Sequence, residues 1–400
     1  MITLRLDAMA FGGDAIGRLE GKAILMRGGI AGESIRAEIV EEHSRFARAR
    51  LVEVIEPAPE RVQPPCPHFG FELDSCGGCA WQHIDYVAQV RFKTAIVREQ
   101  LRRIGKIESA PVRDMLPSPD VWAYRNRAQF GVSPDGRLGF QTAHSNWVTP
   151  ISVCHILQPP IMEWLKAAGR TEPRVQRVDV RSAGSQLSVA VECRNPFSRP
   201  HSASLRGPSG KRVSEQIEFT VKGVPLRVSA SSFFQVNTSL VETLVDLVTG
   251  WLDLRGGETV LDAYCGVGLF SRFLAPIAGR VIGIESSRSA VADARENLAH
   301  LQHVDLREGL VERVLPSLEQ TMHAAILDPP RAGCGPQVIQ AVIAKQIERL
   351  VYASCDPATL ARDARQLMDG DYSLVGVQPV DMFPHTFHIE TVTLWRRGQV

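Results

Sequence analysis

Four short apolar runs in the C-terminal part of the chain constrain its fold more than any other feature. TVLDAY, RVIGIES, AAILDPP and RLVYASC are rich in β-branched residues, and helix-length segments such as Ser289–His300 follow them. Strands alternating with helices in this way predict a parallel, doubly wound α/β sheet. Ligands of such sheets sit beyond the carboxyl ends of the strands, at the point where strand order reverses. The residues just after each run are therefore where chemistry is expected.

The chain has 400 residues, too many for one core, so two or three domains are expected. Its composition, 44% apolar and 22% charged, is that of a globular protein, and its net charge is only +1. Any nucleic-acid binding must therefore come from a local patch. The opening MITLRLDAMAF lacks an apolar stretch of signal-peptide length, and no 18-residue apolar run occurs. A soluble, cytoplasmic protein is expected, with no membrane partner. Eight cysteines in such a chain point to metal binding, catalysis or burial, not to a disulfide framework.

Residues 1 to about 56 read as short strands, Ile2–Leu6, Ala15–Glu20, Ala23–Met26, Ser34–Glu42 and Phe46–Ile55, with glycines between them. That pattern predicts a small OB-like β-barrel over residues 1–57. EPAPERVQPP then marks a boundary. A cysteine-bearing and β-rich central region is expected over 58–230, including an amphipathic helix from about Tyr86 to Ile104, and the catalytic domain over 231–400.

The first C-terminal strand runs into Asp262-Ala-Tyr-Cys-Gly-Val-Gly-Leu-Phe270, where Gly266 and Gly268 let backbone pass close to a ligand. Glu285, at the end of the next strand, can accept hydrogen bonds from the ribose hydroxyls of a nucleoside. A dinucleotide loop would need a third glycine where Ser271 stands, so an S-adenosylmethionine loop fits better; a tight turn without a ligand is the plain alternative. Asp328 precedes Pro329 and Pro330, which stiffen its loop as a substrate-holding site requires.

RLVYASC places Cys355 at a strand end, before Asp356 and Pro357, good residues for a helix N-cap and first turn. The helix terminus is expected to favour thiolate, Asp356 opposes it, and a buried structural cysteine is the competing reading. The cofactor loop and Asp328 favour a nucleophile. Pyrimidine C5 reacts poorly with a methyl sulfonium, but thiolate addition at C6 gives C5 carbanion character. A base must then remove the C5 proton; HTFHIETVTLW offers His385, His388 and Glu390, of which Glu390 is preferred.

Cys66, Cys76 and Cys79 form a C-x9-C-x2-C array, with Cys154 far downstream. Four thiolates can hold an iron–sulfur cluster or zinc, and the single C-x2-C knuckle leans toward a cluster without settling it. Lys22, Arg27, Arg45, Arg48 and Arg50 are interleaved with Phe46, a pattern that suits phosphates and a stacked base, or a solvated strand face.

Together, Ser232–Asn237, Asp262–Phe270, Asp328–Gly333, Ser354–Pro357 and His388–Thr391 resemble the RNA uracil-C5 methyltransferases that form 5-methyluridine. The resemblance implies Cys355 as nucleophile, Glu390 as proton-abstracting base, and Gln235, Tyr264, Gly266, Gly268, Glu285 and Asp328 as cofactor or substrate contacts. It further implies a class I methyltransferase domain with Rossmann-like topology, a TRAM-type RNA-binding barrel, and a [4Fe–4S] cluster on Cys66, Cys76, Cys79 and Cys154 as in the ribosomal branch. The early helix, over about 83–105, is expected to pack on the catalytic domain. Phe233 is a candidate to stack on a flipped uracil, with a core phenylalanine as the alternative. The chain departs from the family at Leu269 and Gly309, where polar residues are common. The expected activity is S-adenosylmethionine-dependent methylation of 23S rRNA by a monomer. Transfer RNA is the alternative substrate, and a non-catalytic ribosome assembly factor the alternative of another class.

Overall fold

The computed structural model describes residues 1–143, 145–193 and 214–398. Its first five strands, β1 (Ile2–Met9), β2 (Ala15–Leu19), β3 (Lys22–Met26), β4 (Ser34–Glu42) and β5 (Phe46–Glu56), close into a barrel of order β1-β2-β3-β5-β4. Alternate residues such as Leu4, Leu6, Ile24, Met26, Ile35 and Ala37 fill the interior. Closure brings β1 and β2 so near that a Cβ at Gly17 would lie 2.5 Å from the Arg5 carbonyl oxygen.

Helix α1 (Tyr86–Arg103) is capped by Asp85, whose side chain accepts from the Val87 N–H. Its buried Ala88, Ile96, Val97 and Leu101 belong to a core that runs from the barrel into the C-terminal sheet. The central sheet comprises β6 (Arg127–Val132), β7 (Leu138–Gln141), β8 (Val148–Pro150), β9 (Val175–Ala183) and β10 (Gln186–Cys193), in the order β10-β9-β6-β7-β8. The β-rich reading of residues 126–228 does not include a helix. Helix α2 (Pro159–Ala168) covers this sheet through Ile161, Trp164 and Leu165. Two prolines open it, and one apolar stripe decides its state over the surrounding β-propensity. Residues 194–213 of that stretch lie outside the described residues.

The hairpin β11 (Gln216–Val221) and β12 (Val224–Ser229) buries Ile217, Phe219, Leu226 and Val228 in the C-terminal core, ahead of position 231. Next come α3 (Val241–Leu252), β13 (Thr259–Ala263), α4 (Leu269–Leu274), β14 (Arg280–Glu285), α5 (Arg288–Leu298), β15 (Val304–Glu308), α6 (Val311–Ser317) and β16 (Ala324–Leu327). The chain continues through α7 (Gly335–Ala344), β17 (Arg349–Ser354), α8 (Pro357–Asp369), β18 (Tyr372–Val380) and β19 (Glu390–Arg397). The seven strands lie in the order β15-β14-β13-β16-β17-β19-β18. The pairs from β15 through β17 are parallel, and β19 inserts antiparallel between β17 and β18. Helices cover both faces, which is why its strands read as continuous apolar runs. Strand order reverses at β13 and β16, so their carboxyl ends open the crevice. Among the described residues no helix is long and apolar enough to cross a membrane.

Candidate active site

The crevice begins where β13 ends. Tyr264, Gly266 and Gly268 all take left-handed backbone, with φ of 64°, 56° and 86°. A Cβ at Gly266 would meet nothing within 4 Å, so the open side of the turn is free for a ligand. Gly268 serves packing instead, since a Cβ there would lie 2.9 Å from Leu298, and the residue lets α4 start hard against α5. Gly268, also expected near the ligand, shapes the turn and is not among the residues lining the cleft.

Glu285 is held rigidly at the end of β14. Its Oε2 accepts from the Gly266 N–H at 3.0 Å, and its Oε1 from the Ser286 and Ser287 N–H groups at 2.7 Å each. Below the turn, buried Asp262 accepts from the Ser271 N–H and hydroxyl at 2.8 and 2.6 Å. Ser271, which spoils a dinucleotide fingerprint, thus ties the start of α4 to β13. Burial pushes the Asp262 carboxyl up to about 7. Asp328, just past β16, also rises to about 7 through burial and the nearby Asp262.

Cys355 and Glu390 meet through strand pairing. The β17–β19 ladder closes with Ser354 opposite Thr391, which leaves Cys355 just past β17 and Glu390 at the first position of β19, both lining the cleft. Glu390 is 5% exposed, and Cys355 is half-buried. The expected thiolate-favouring effect of α8 does not prevail. Asp356 already satisfies that helix end, its Oδ1 accepting from the Ala358 and Thr359 N–H groups at 2.9 and 3.0 Å. Burial, then Glu390, push the thiol up to about 12; Asp328 and Asp356 add to this, and Arg331 opposes it. Burial and Asp328 also hold the Glu390 carboxyl well above its ordinary range.

The two histidines part company. His388 lines the cleft beside Arg331, with Nε2 and Nη2 3.5 Å apart. His385 is buried toward α1, stacked on Trp122 at 3.7 Å and hydrogen-bonded at Nδ1 to Gln89 Nε2 at 3.1 Å. Gln235 lines the cleft while its carbonyl accepts from Asn126 Nδ2 at 2.9 Å. Phe233, 57% exposed, stands on the cleft wall and is no core residue.

Sequence reasoning missed what fixes that wall. Buried Arg181 donates to the carbonyls of Ser229 and Ser232 at 3.3 and 2.5 Å. Asp293 accepts from the Ser229 N–H at 2.8 Å and the Ser232 hydroxyl at 2.5 Å. Asp293 shares the buried face of α5 with Ala290, Ala294 and Asn297, and a charge in that periodic position was the available signal.

One cleft of about 1520 Å³ is bounded by Gln235, Tyr264, Glu285, Asp328, Cys355 and Glu390. Cys66, Cys76, Cys79 and Cys154 line its other side, all as free thiols. Burial raises the thiols of Cys76, to about 11, and of Cys79 and Cys154, and neighbouring cysteines push in the same direction. As placed, no group of three or more His, Cys, Asp or Glu among the described residues is arranged to hold a metal ion. On the barrel, three of the five expected basic contacts are engaged by carboxylates: Lys22 with Glu42, Arg48 with Asp14 and Arg50 with Glu38. Arg45 is exposed, and Arg27 lies over the Phe71 ring.

A sequence profile of the tRNA (uracil-5-)-methyltransferase family matches residues 209–307 and 315–397. An uncharacterized RNA methyltransferase of Streptomyces avermitilis is 36% identical over 422 residues, spanning 98% of this chain and 97% of its own length. Another, of Gloeobacter violaceus, is 32% identical over 449 residues, spanning 99% and 96%. The crystal structure of Pyrococcus abyssi tRNA (uracil-54, C5)-methyltransferase with S-adenosyl-L-homocysteine has a similar fold, with a TM-score of 0.75. That match covers 98% of this chain and 100% of the other at 24% identity.

Proposed function

Because the chain belongs to the RNA uracil-5-methyltransferase family, we propose that it methylates C5 of a uridine in 23S rRNA through Cys355 and Glu390. That it is an S-adenosylmethionine-dependent RNA methyltransferase follows from the family itself. The observation supporting the residue assignment is the pairing of β17 with β19, which brings the thiol that follows one strand near the buried carboxyl that opens the other, in the main cleft.

S-adenosylmethionine, when bound, supplies an electrophilic methyl sulfonium. The chain fits it: Gly266 leaves the turn open, and Glu285, oriented by three backbone N–H groups, offers a carboxylate to ribose hydroxyls. Tyr264, Gln235 and Asp328 bound the same space and are proposed as cofactor or substrate contacts. The Cys355 thiolate adds to uracil C6, and C5 becomes nucleophilic and takes the methyl group. Glu390 then removes the C5 proton, the C5–C6 double bond reforms, and the thiolate leaves. Phe233 stacks on the base once it is turned out of its RNA.

The four upstream cysteines are proposed as ligands of a [4Fe–4S] cluster. Support comes from the donor types, four free and partly buried thiols of which neighbours raise one another, which suit iron–sulfur chemistry once drawn together. The cluster would fix the cysteine-bearing loop against the central sheet. The barrel is proposed as a TRAM-like RNA-binding module, and the ribosomal substrate rests on the resemblance of the sequence motifs to the ribosomal branch. A transfer-RNA substrate is the second reading, favoured by the description of the matching family. The enzyme is proposed to act as a monomer in the cytoplasm.

The decisive test uses Cys355→Ala and RNA carrying 5-fluorouridine. Cys355→Ala is expected to abolish methyl transfer while keeping cofactor affinity, and the wild type should accumulate a covalent adduct with the fluorinated RNA. Substantial activity in the variant, or no adduct, would refute the nucleophile. Mapping 5-methyluridine in ribosomal and transfer RNA from a strain lacking the protein separates the two substrates.

A further inference from the structure

A second, smaller cavity of about 380 Å³ lies where the barrel meets the cysteine-bearing loop. Arg61, Phe69, Phe71 and His83 line it, and Phe69 also lines the main cleft, so the two spaces share a wall. Its aromatic rings form a cluster: Phe71 meets His83 edge-on at 5.1 Å and Phe69 at 5.2 Å, and Phe69 stacks on His83 at 5.8 Å. Phe71 keeps 36% of its surface exposed, with the Arg27 guanidinium over its ring at 5.9 Å.

One polar group is fixed there with unused hydrogen-bonding capacity. Arg61 is locked to fully buried Glu33, Nε to Oε1 at 2.5 Å and Nη2 to Oε2 at 2.7 Å, and Nη2 also donates to the Gly28 carbonyl at 2.8 Å. Its Nη1 has no acceptor among the described residues, which leaves a pre-oriented donor at the cavity. His83 is 2% exposed with both ring nitrogens sealed from solvent, so it serves the cavity as a rigid aromatic wall.

Aromatic surface beside a pre-oriented guanidinium is the chemistry that holds an unpaired nucleobase. We infer that this cavity docks the base of a nucleotide neighbouring the target uridine, so that the RNA is gripped at two bases, one in each space. The inference rests on RNA being the substrate.

The test uses the RNA fragment that the purified full-length protein methylates, with each nucleotide except the target replaced in turn by an abasic residue. In the wild type one neighbouring position should lose about 5- to 100-fold in affinity, the range of a single stacked base. Phe71→Ala should show the same loss on intact RNA and no further loss with that abasic RNA. Phe71→Trp should bind as the wild type does. Cofactor affinity and melting of Phe71→Ala should be unchanged. A scan with no Phe71-dependent position overturns the pocket while methylation persists, as does a loss equal for every RNA. Failure to methylate any RNA would strike the reading on which the pocket rests.

Discussion

In the cleft the Cys355 thiol faces the carboxyl groups of Glu390 at the start of β19, Asp328 just past β16, and its own neighbour Asp356. With its pKa pushed up to about 12, little thiolate exists at pH 8, and its reactivity should keep rising well past the range of an ordinary cysteine near 8.5. Site-resolved alkylation by iodoacetamide, read by mass spectrometry, should therefore be slow at pH 8 and still climbing at pH 10. Glu390→Gln removes the largest charged contributor and should move the rise in alkylation to lower pH. A rate that levels off by pH 9, or a slower variant, would contradict this electrostatic picture. The identities at this site were legible because strand-end motifs announce themselves locally. The direction of the thiol shift was not: Asp356 was visible beside Cys355, but Glu390 arrives through a strand from another part of the chain. Burial, which dominates, belongs to no motif.

Among the elements, α1 is the one whose position a linear reading explains least. Its amphipathic pattern is plain, but Lys93 sits wholly buried on the inward face, donating to Asp381 Oδ1 at 2.7 Å and to the Phe383 carbonyl at 3.0 Å. Gln89, one turn earlier, accepts from the His385 N–H at 2.8 Å. Through these contacts α1 holds residues 381–385, which lead into β19 and Glu390. Removing one partner strands the other charge in the interior, so Lys93→Met should cost about 3–5 kcal/mol in denaturant unfolding. Lys93→Met with Asp381→Asn should recover much of that, because no uncompensated charge remains. Equal stability of single and wild-type proteins would show that the pair does not support the loop. A lysine within an amphipathic helix normally reads as solvent-facing, so its buried partner 288 positions away could not be inferred.

Across the whole molecule, the cysteine-bearing loop, the central sheet and the C-terminal sheet bound one cleft. The barrel braces it from behind: Trp81 Nε1 donates to the barrel's Gly13 carbonyl at 2.9 Å, and the barrel's Phe11 packs edge-on against Phe387. The order of secondary structure was readable along the chain. The gathering of Cys66, Cys76, Cys79 and Cys154 against the catalytic residues was not, because it depends on how the central sheet faces the C-terminal one. If these thiols hold a [4Fe–4S] cluster, protein isolated without oxygen should be brown and absorb near 400 nm. Chelation after oxidation should then lower the melting temperature by several degrees, since a cross-link between distant segments is lost. A colourless anaerobic preparation containing only zinc would sink the cluster.

The β17–β19 pairing also bears on how such a protein can change over generations. Side chains alternate between the faces of a strand, so a slip of one residue in β19 would carry Glu390 to the opposite face and empty the place near Cys355. Insertions and deletions between the two residues must therefore be absorbed outside β17 and β19, where no strand phase is at stake. The phase of the two strands is inherited as a unit.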